Sequence, residues 1–257
     1  MAAHAFGRFG LTHPAALGRL CAVTGPYADR LAAYLDEAYR RGNVRCDGGD
    51  AIELAPHSIE REQGEAMRDL AIAEGAERTI EVGLALGMSA LFLCQAVIAR
   101  GGRHVAIDPF QEASWKLAGI TALADAGVRE LVEVLEEESQ IALPRLVADG
   151  REFDFAFIDG DHRFESVLID LYYMARLVRP RGLIVVDDMW MPSIRMAVAY
   201  VEKNMGLMLE PDALADGFRW RHRPLARGVP AGRGGLAVLR TPAEPPDLRW
   251  DAFVPPY

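Results

Sequence analysis

The chain has 257 residues, 51% of them apolar, with a formal net charge of −9. That is apolar material for one substantial core, and the length suits a single large α/β domain with terminal additions. The acidic balance excludes a phosphate-tracking nucleic-acid surface, which needs a basic face.

No apolar stretch reaches the roughly 18 residues of a membrane span, and Met1 to Leu20 lacks the apolar centre of a secretory signal. Cys21, Cys46 and Cys94 show neither metal-type spacing nor a disulfide framework. The expectation is a cytoplasmic protein with a small-molecule partner, no nucleic acid and no membrane.

Along the chain, Ala15 to Arg41 and Ser58 to Glu74 are expected to be helices, the second capped by Ser58, with Gly42 to Pro56 a loop between them. Residues 1–57 thus form a helical segment expected to serve as a lid or a dimer contact. From Thr79 short apolar strands alternate with helices. Strands are expected at Thr79 to Val82, His104 to Ile107, Leu131 to Leu135, Phe153 to Ile158 and Leu183 to Val186. Helices are expected at Met88 to Arg100, Glu112 to Ala126, Ser139 to Ala148, Phe164 to Val178 and Ser193 to Met205. Five such repeats imply right-handed crossovers and a mostly parallel sheet. Gly217 to His222 and Gly235 to Arg240 read as late strands. The main domain is expected over 58–241, and the proline-rich tail 242–257 cannot be regular structure.

Ligands of such sheets bind beyond the carboxyl ends of the strands. The first strand of the repeat ends in Glu81-Val-Gly83-Leu-Ala-Leu-Gly87-Met-Ser89 and opens a helix. Glycines there let a ligand approach the backbone, and the helix start offers free N–H groups. The spacing differs from the dinucleotide fingerprint, which disfavours a pyrophosphate. Asp108 ends the second strand, where an acid can accept ribose hydroxyls. Ser139 and Gln140 follow the third and could face an adenine edge. The fourth and fifth strands end in Phe-Ile-Asp159-Gly-Asp161-His162 and Val-Val-Asp187-Asp188-Met-Trp190. Neighbouring strands lie about 4.8 Å apart, so Asp159, Asp187 and Asp188 can converge on one divalent cation, and oxygen ligands favour Mg²⁺, Mn²⁺ or Ca²⁺ over zinc.

On these residues the chain resembles the class I S-adenosylmethionine-dependent methyltransferases, specifically the metal-dependent O-methyltransferases of the catechol and caffeoyl-CoA type. The likeness covers roughly Ser58 to Arg240. It implies a Rossmann-like, mostly parallel seven-stranded sheet with helices on both faces and an antiparallel last strand. It also implies that Glu81 and Gly83 hold the methionine part of the cofactor, that Ser89 and Asp159 contribute to its pocket, that Asp108 binds the ribose, and that Ser139-Gln140 faces the adenine. The Asp-Gly-Asp-His and Asp-Asp forms look more like the bacterial macrocin-type enzymes that methylate sugar hydroxyls. There an acid matching Asp161, or a histidine matching His162, is the base. Between the two, His162 has the reference pKa nearer working pH, and Asp161 could instead cap its loop.

The expected function is methyl transfer from S-adenosylmethionine to a hydroxyl of a sugar or phenol in secondary metabolism, with the metal orienting the acceptor. Two other readings remain: a metal-free O- or N-methyltransferase using His162 as base, and a non-catalytic nucleoside-binding protein of the same fold. The aromatic tail and the extra N-terminal helices point to a homodimer.

Overall fold

The computed structural model describes residues 26–214, 235–244 and 252–256. The part of the first expected helix before Pro26, the expected strand Gly217 to His222, and Trp250 and Tyr257 of the tail lie outside them.

Helix α1 (Pro26–Arg41) leads into a small antiparallel hairpin, β1 (Asn43–Arg45) with β2 (Ala51–Glu53), and then α2 (Arg61–Ala73). The hairpin replaces the expected loop: its strands are three residues long with one apolar residue pointing inward from β1, too short for an alternation to show in the sequence. The cap of α2 is also corrected. Glu60, not Ser58, closes the helix, in a reciprocal box in which the Gln63 side chain accepts the Glu60 N–H at 3.3 Å.

The repeat that follows runs β3 (Arg78–Val82), α3 (Met88–Ile98), β4 (Arg103–Ile107), α4 (Ala118–Asp125), β5 (Val132–Leu135), α5 (Ser139–Ala148), β6 (Phe153–Ile158), α6 (Phe164–Leu177), β7 (Val178–Val186) and α7 (Pro192–Met205). Two short strands close the sheet, β8 (Met208–Leu209) and β9 (Ala237–Arg240). The order is β5-β4-β3-β6-β7-β9-β8, parallel from β5 to β7, with β9 antiparallel to both its neighbours. This is the expected mostly parallel seven-stranded sheet with an antiparallel last strand. Helix α4 is shorter than the expected Glu112 to Ala126. After Asp108 the chain bends through turns, with Lys116 and Leu117 at positive φ, before it can enter the helix.

Alternation along the strands divides the core in two. Phe155, Phe157, Leu183, Val185 and Val238 face α1 to α4, whereas Ile80, Ile107, Ala156, Ile158, Ile184 and Leu239 face α5 to α7. The central strand β6 is buried at every residue, which is why its sequence is an unbroken apolar run around Asp154. Leu31, Leu35 and Ala38 of α1 belong to the first of these cores, so α1 packs into the body. At the other end of the chain, Val254 exchanges two hydrogen bonds with the Asn204 side chain of α7, each 2.8 Å, and Phe253 lies against Tyr200.

One buried acid has no role in the sheet. Asp170 of α6 is 1% exposed, with the Ser139 hydroxyl as the neighbour nearest to satisfying its carboxylate. Burial pushes its carboxyl up from 3.8 to about 7, with the Ser139 hydroxyl pulling the other way. Between those values the folded chain holds a proton that the unfolded chain has released, so stability falls as pH rises through that window. Asp170→Asn is expected to remove this fall. Chemical denaturation at pH 5 and pH 8 should show the wild type losing a few kcal/mol, at about 1.4 kcal/mol for each step of one in pH across the window, that the variant keeps.

Candidate active site

Four of the five parallel strands, β3, β4, β6 and β7, are prolonged by one backbone hydrogen bond past their ends. Gly83 N–H donates to Ile107 C=O at 2.9 Å, Asp108 to Leu135 at 3.0 Å, Asp159 to Val82 at 3.0 Å and Asp187 to Ile158 at 3.0 Å. Gly83, Asp108, Asp159 and Asp187 therefore stand side by side on the carboxyl edge of the sheet. Gly83, Asp108 and Asp159, though not Asp187, line a cavity of about 510 Å³ whose walls also include Trp115, Ser139 and His162. A larger hollow of about 840 Å³ behind α6 and α7 has no acid in its lining.

The glycine turn is tight for a visible reason. Gly83 has φ +98°, and a Cβ there would stand 2.1 Å from the Asp159 carbonyl oxygen. Only glycine lets the tips of β3 and β6 touch. Beside it, Asp108 is already occupied by the protein. Its Oδ2 accepts the Ala85 N–H at 2.7 Å and the Gln111 amide at 3.0 Å, and its Oδ1 accepts the Phe110 N–H at 2.8 Å. An ionised carboxylate has about four acceptor positions, so the spare capacity is on Oδ1 and suits one hydroxyl better than two. Ser139, Gln140 and Glu138 form the wall at the start of α5, where the Gln140 amide donates to Glu138.

At the other end, Asp159, His162 and Asp188 place ligand atoms within 4.8 Å of one another. His162 Nε2 is 2.7 Å from Asp188 Oδ2 and 3.5 Å from Asp159 Oδ1. Those two carboxylates push the imidazole pKa up to about 10, which favours its protonated form. Asp187 is buried, its Oδ1 accepting the Asp188 N–H at 2.6 Å. Burial, and then the charge of Asp159, push the Asp187 carboxyl well above its usual range. Burial also raises Asp159. It opposes ionisation of Asp188 too, but hydrogen bonds from His162 and from Trp190 Nε1, the latter 2.7 Å long, outweigh it and leave that carboxyl low. A half-buried group of acids beside one imidazole fits a divalent cation by the chemistry of its donors.

Asp188 sits at φ +57°, a left-handed conformation that aspartate tolerates. The segment behind it is pinned. Ser193 Oγ donates to the His162 C=O at 2.7 Å, and the Arg195 guanidinium donates to the carbonyls of Met189 and Trp190. Asp161 lines the cavity, but its Oδ2 accepts Arg163 Nε at 2.7 Å and Ser166 Oγ at 2.9 Å. The Arg163 contact holds its carboxyl below the usual range, and it closes the start of α6.

Two expected cofactor residues are not brought to the cavity wall. Glu81 is fully buried under α3, its Oε1 3.3 Å from His104 Nε2, with Thr79 Oγ1 2.9 Å from the other ring nitrogen. The register that pairs Thr79 with His104 puts all three on one face of the sheet. Ser89 is buried within α3. Trp115 and Phe110 are wall residues that follow from the bend after β4, and Ala85 is one from the turn after β3.

A family model described as a methyltransferase domain matches residues 80–189, which hold every strand tip described above. Over these residues the chain is similar to methyltransferase domains. Tricin synthase 1 of Oryza sativa subsp. japonica is 34% identical over 174 residues, 56% of this chain and 66% of the relative. Catechol O-methyltransferase of Mycobacterium tuberculosis is 33% identical over 139 residues, 54% of this chain and 60% of the relative. The matched stretch thus spans less than two thirds of either relative. The O-methyltransferase TomG from Streptomyces achromogenes, solved in complex with SAM, shares the fold with a TM-score of 0.54 at 20% identity, over 85% of this chain and 91% of its own. No helix among the described residues is long and apolar enough to cross a membrane.

Gly83→Ala tests the contact on which the edge of the sheet depends. The added Cβ collides with backbone, which has no rotamer to escape into. Urea denaturation should show a loss of about 1–3 kcal/mol or more.

Proposed function

We propose that this protein transfers the methyl group of S-adenosylmethionine to a hydroxyl of a small molecule, with a divalent cation held by Asp159, Asp187 and Asp188. The observation that carries the reading is one cavity lined by a nucleoside-type acid, Asp108, and by Asp159 and His162, which cluster with Asp188. The acceptor class most compatible with the site is a sugar or a phenol. Trp190, 42% exposed and bonded to Asp188, offers an aromatic face for a ring beside the acids.

In the proposed reaction, the acceptor oxygen attacks the methyl carbon, the carbon–sulfur bond breaks, and the hydroxyl proton leaves to a base. S-adenosylhomocysteine is the other product. Gly83, Ala85 and Asp108 bind and orient the cofactor, and Trp115 and Phe110 exclude water from its nucleoside end. A bound divalent cation lowers the pKa of the acceptor hydroxyl and neutralises the acids that otherwise hold the His162 proton. His162 Nε2 is the base we favour over Asp161, whose carboxylate is depressed and already engaged by Arg163 and Ser166.

One observation favours a second reading. Because the His162 imidazolium already bridges two carboxylates, it could stand permanently where the cation would, in an enzyme that works without metal. Calorimetric titration of S-adenosylhomocysteine, followed by Mg²⁺ with EDTA as control, separates the two. Saturable binding of both supports the metal-assisted reaction, and cofactor binding without a cation site supports the second. Asp159→Ala and Asp188→Ala should keep cofactor binding while turnover of a hydroxylated acceptor falls by about a hundredfold or more; unchanged turnover in both would remove the cation from the mechanism.

A further inference from the structure

We propose that Gln111 is a positioning residue for the cofactor pocket, acting through Asp108 and the glycine turn. It rests on the cofactor reading above and concerns a side chain that is fully buried and is not part of the cavity wall. Its amide Nε2 donates to Asp108 Oδ2 at 3.0 Å and to the Ala85 carbonyl at 2.9 Å, while its Oε1 accepts the Ile120 N–H at 3.4 Å. One planar group therefore joins three segments: the turn after β3, the tip of β4 and the first turn of α4.

The arrangement explains two local costs. Ala85 is a non-glycine residue at φ +42°, a conformation that persists only when its surroundings hold it. Both of its backbone polar groups are engaged, the N–H by Asp108 and the C=O by Gln111. Gly119 has no room for a side chain, since a Cβ there would stand 2.6 Å from the Ala85 carbonyl oxygen and 2.9 Å from Gln111 Oε1. The backbone of Gln111 is fixed as well, its carbonyl accepting the Leu117 N–H at 2.7 Å.

Only a side-chain amide supplies two donors and an acceptor from one plane. A glutamate would set a second carboxylate against Asp108, and a shorter or apolar residue would leave the Ala85 carbonyl and one Asp108 acceptor position without the Gln111 donor. By occupying Oδ2, Gln111 and Ala85 together turn the free acceptor position of Asp108 onto Oδ1. Gln111 thus sets which oxygen the pocket offers and where the Ala85 peptide lies in its wall.

The experiment is calorimetric titration of S-adenosylhomocysteine into the wild type, Gln111→Ala, Gln111→Glu, Asp108→Asn and the Gln111→Ala/Asp108→Asn double variant, each checked by thermal melting. The wild type should bind, Gln111→Ala should bind about tenfold more weakly, and Gln111→Glu should be weaker still. With Asp108→Asn already present, Gln111→Ala should cost clearly less than it does alone, because the route through the carboxylate has gone and only that through the Ala85 carbonyl remains. If Gln111→Ala does not fold, the nearly isosteric Gln111→Glu carries the comparison. Wild-type binding with both Gln111 variants within about twofold of it would overturn the inference, as would a full penalty in the double variant. No binding by the wild type would overturn the cofactor reading itself and this inference with it.

Discussion

The site depends on backbone pairing that continues one residue beyond the strands. Each bond from Gly83, Asp108, Asp159 and Asp187 to the neighbouring strand extends the parallel ladder into the loops, so four chemically active tips inherit the spacing of the sheet. A parallel sheet places all its carboxyl ends on one edge, and the β3 tip has a strand on either side, β4 and β6. The close contact of Gly83 with the Asp159 carbonyl joins the nucleoside end of the cavity to the acid end.

Electrostatics at that edge are balanced within the chain. Asp159 and Asp187 resist ionisation because they are buried near one another, and Asp188 remains ionised because it receives two hydrogen bonds. The His162 imidazolium is the local counter-charge. Trp190, Ser193 and Arg195 complement it, since their hydrogen bonds fix the loop from Asp188 to α7 and the acids do not have to hold the backbone as well as each other. At the opposite edge Asp154 does comparable work for the fold, accepting the N–H groups of Glu77 and Arg78 and the Arg179 guanidinium.

Much of this was legible in the residues. Strand β6 and helix α5 run over the residues expected for them, because long apolar runs ended by acids or by a Ser-led helix start have few alternative foldings. The boundaries were lost where packing and not propensity decides. The β1-β2 hairpin has too few apolar residues to announce itself, and α4 starts late because the chain first bends around the Gln111 amide. Glu81 was placed at the cofactor by its position in a motif. Alternation along β3 turns it to the α3 side, within 3.3 Å of the His104 ring.

The sequence by itself determined the alternation of strands and helices, the parallel sheet, and the set of acids at the strand ends, since these follow from apolar periodicity and from which residues terminate each run. Tertiary structure alone decided which acids meet and in what charge state. That outcome depends on strand order and on a 2.7 Å approach between His162 and Asp188, residues 26 positions apart in the chain. It also decided that Asp108 offers one oxygen and not two, because the donors that occupy the rest come from a glycine turn and a bend whose meeting is set by packing.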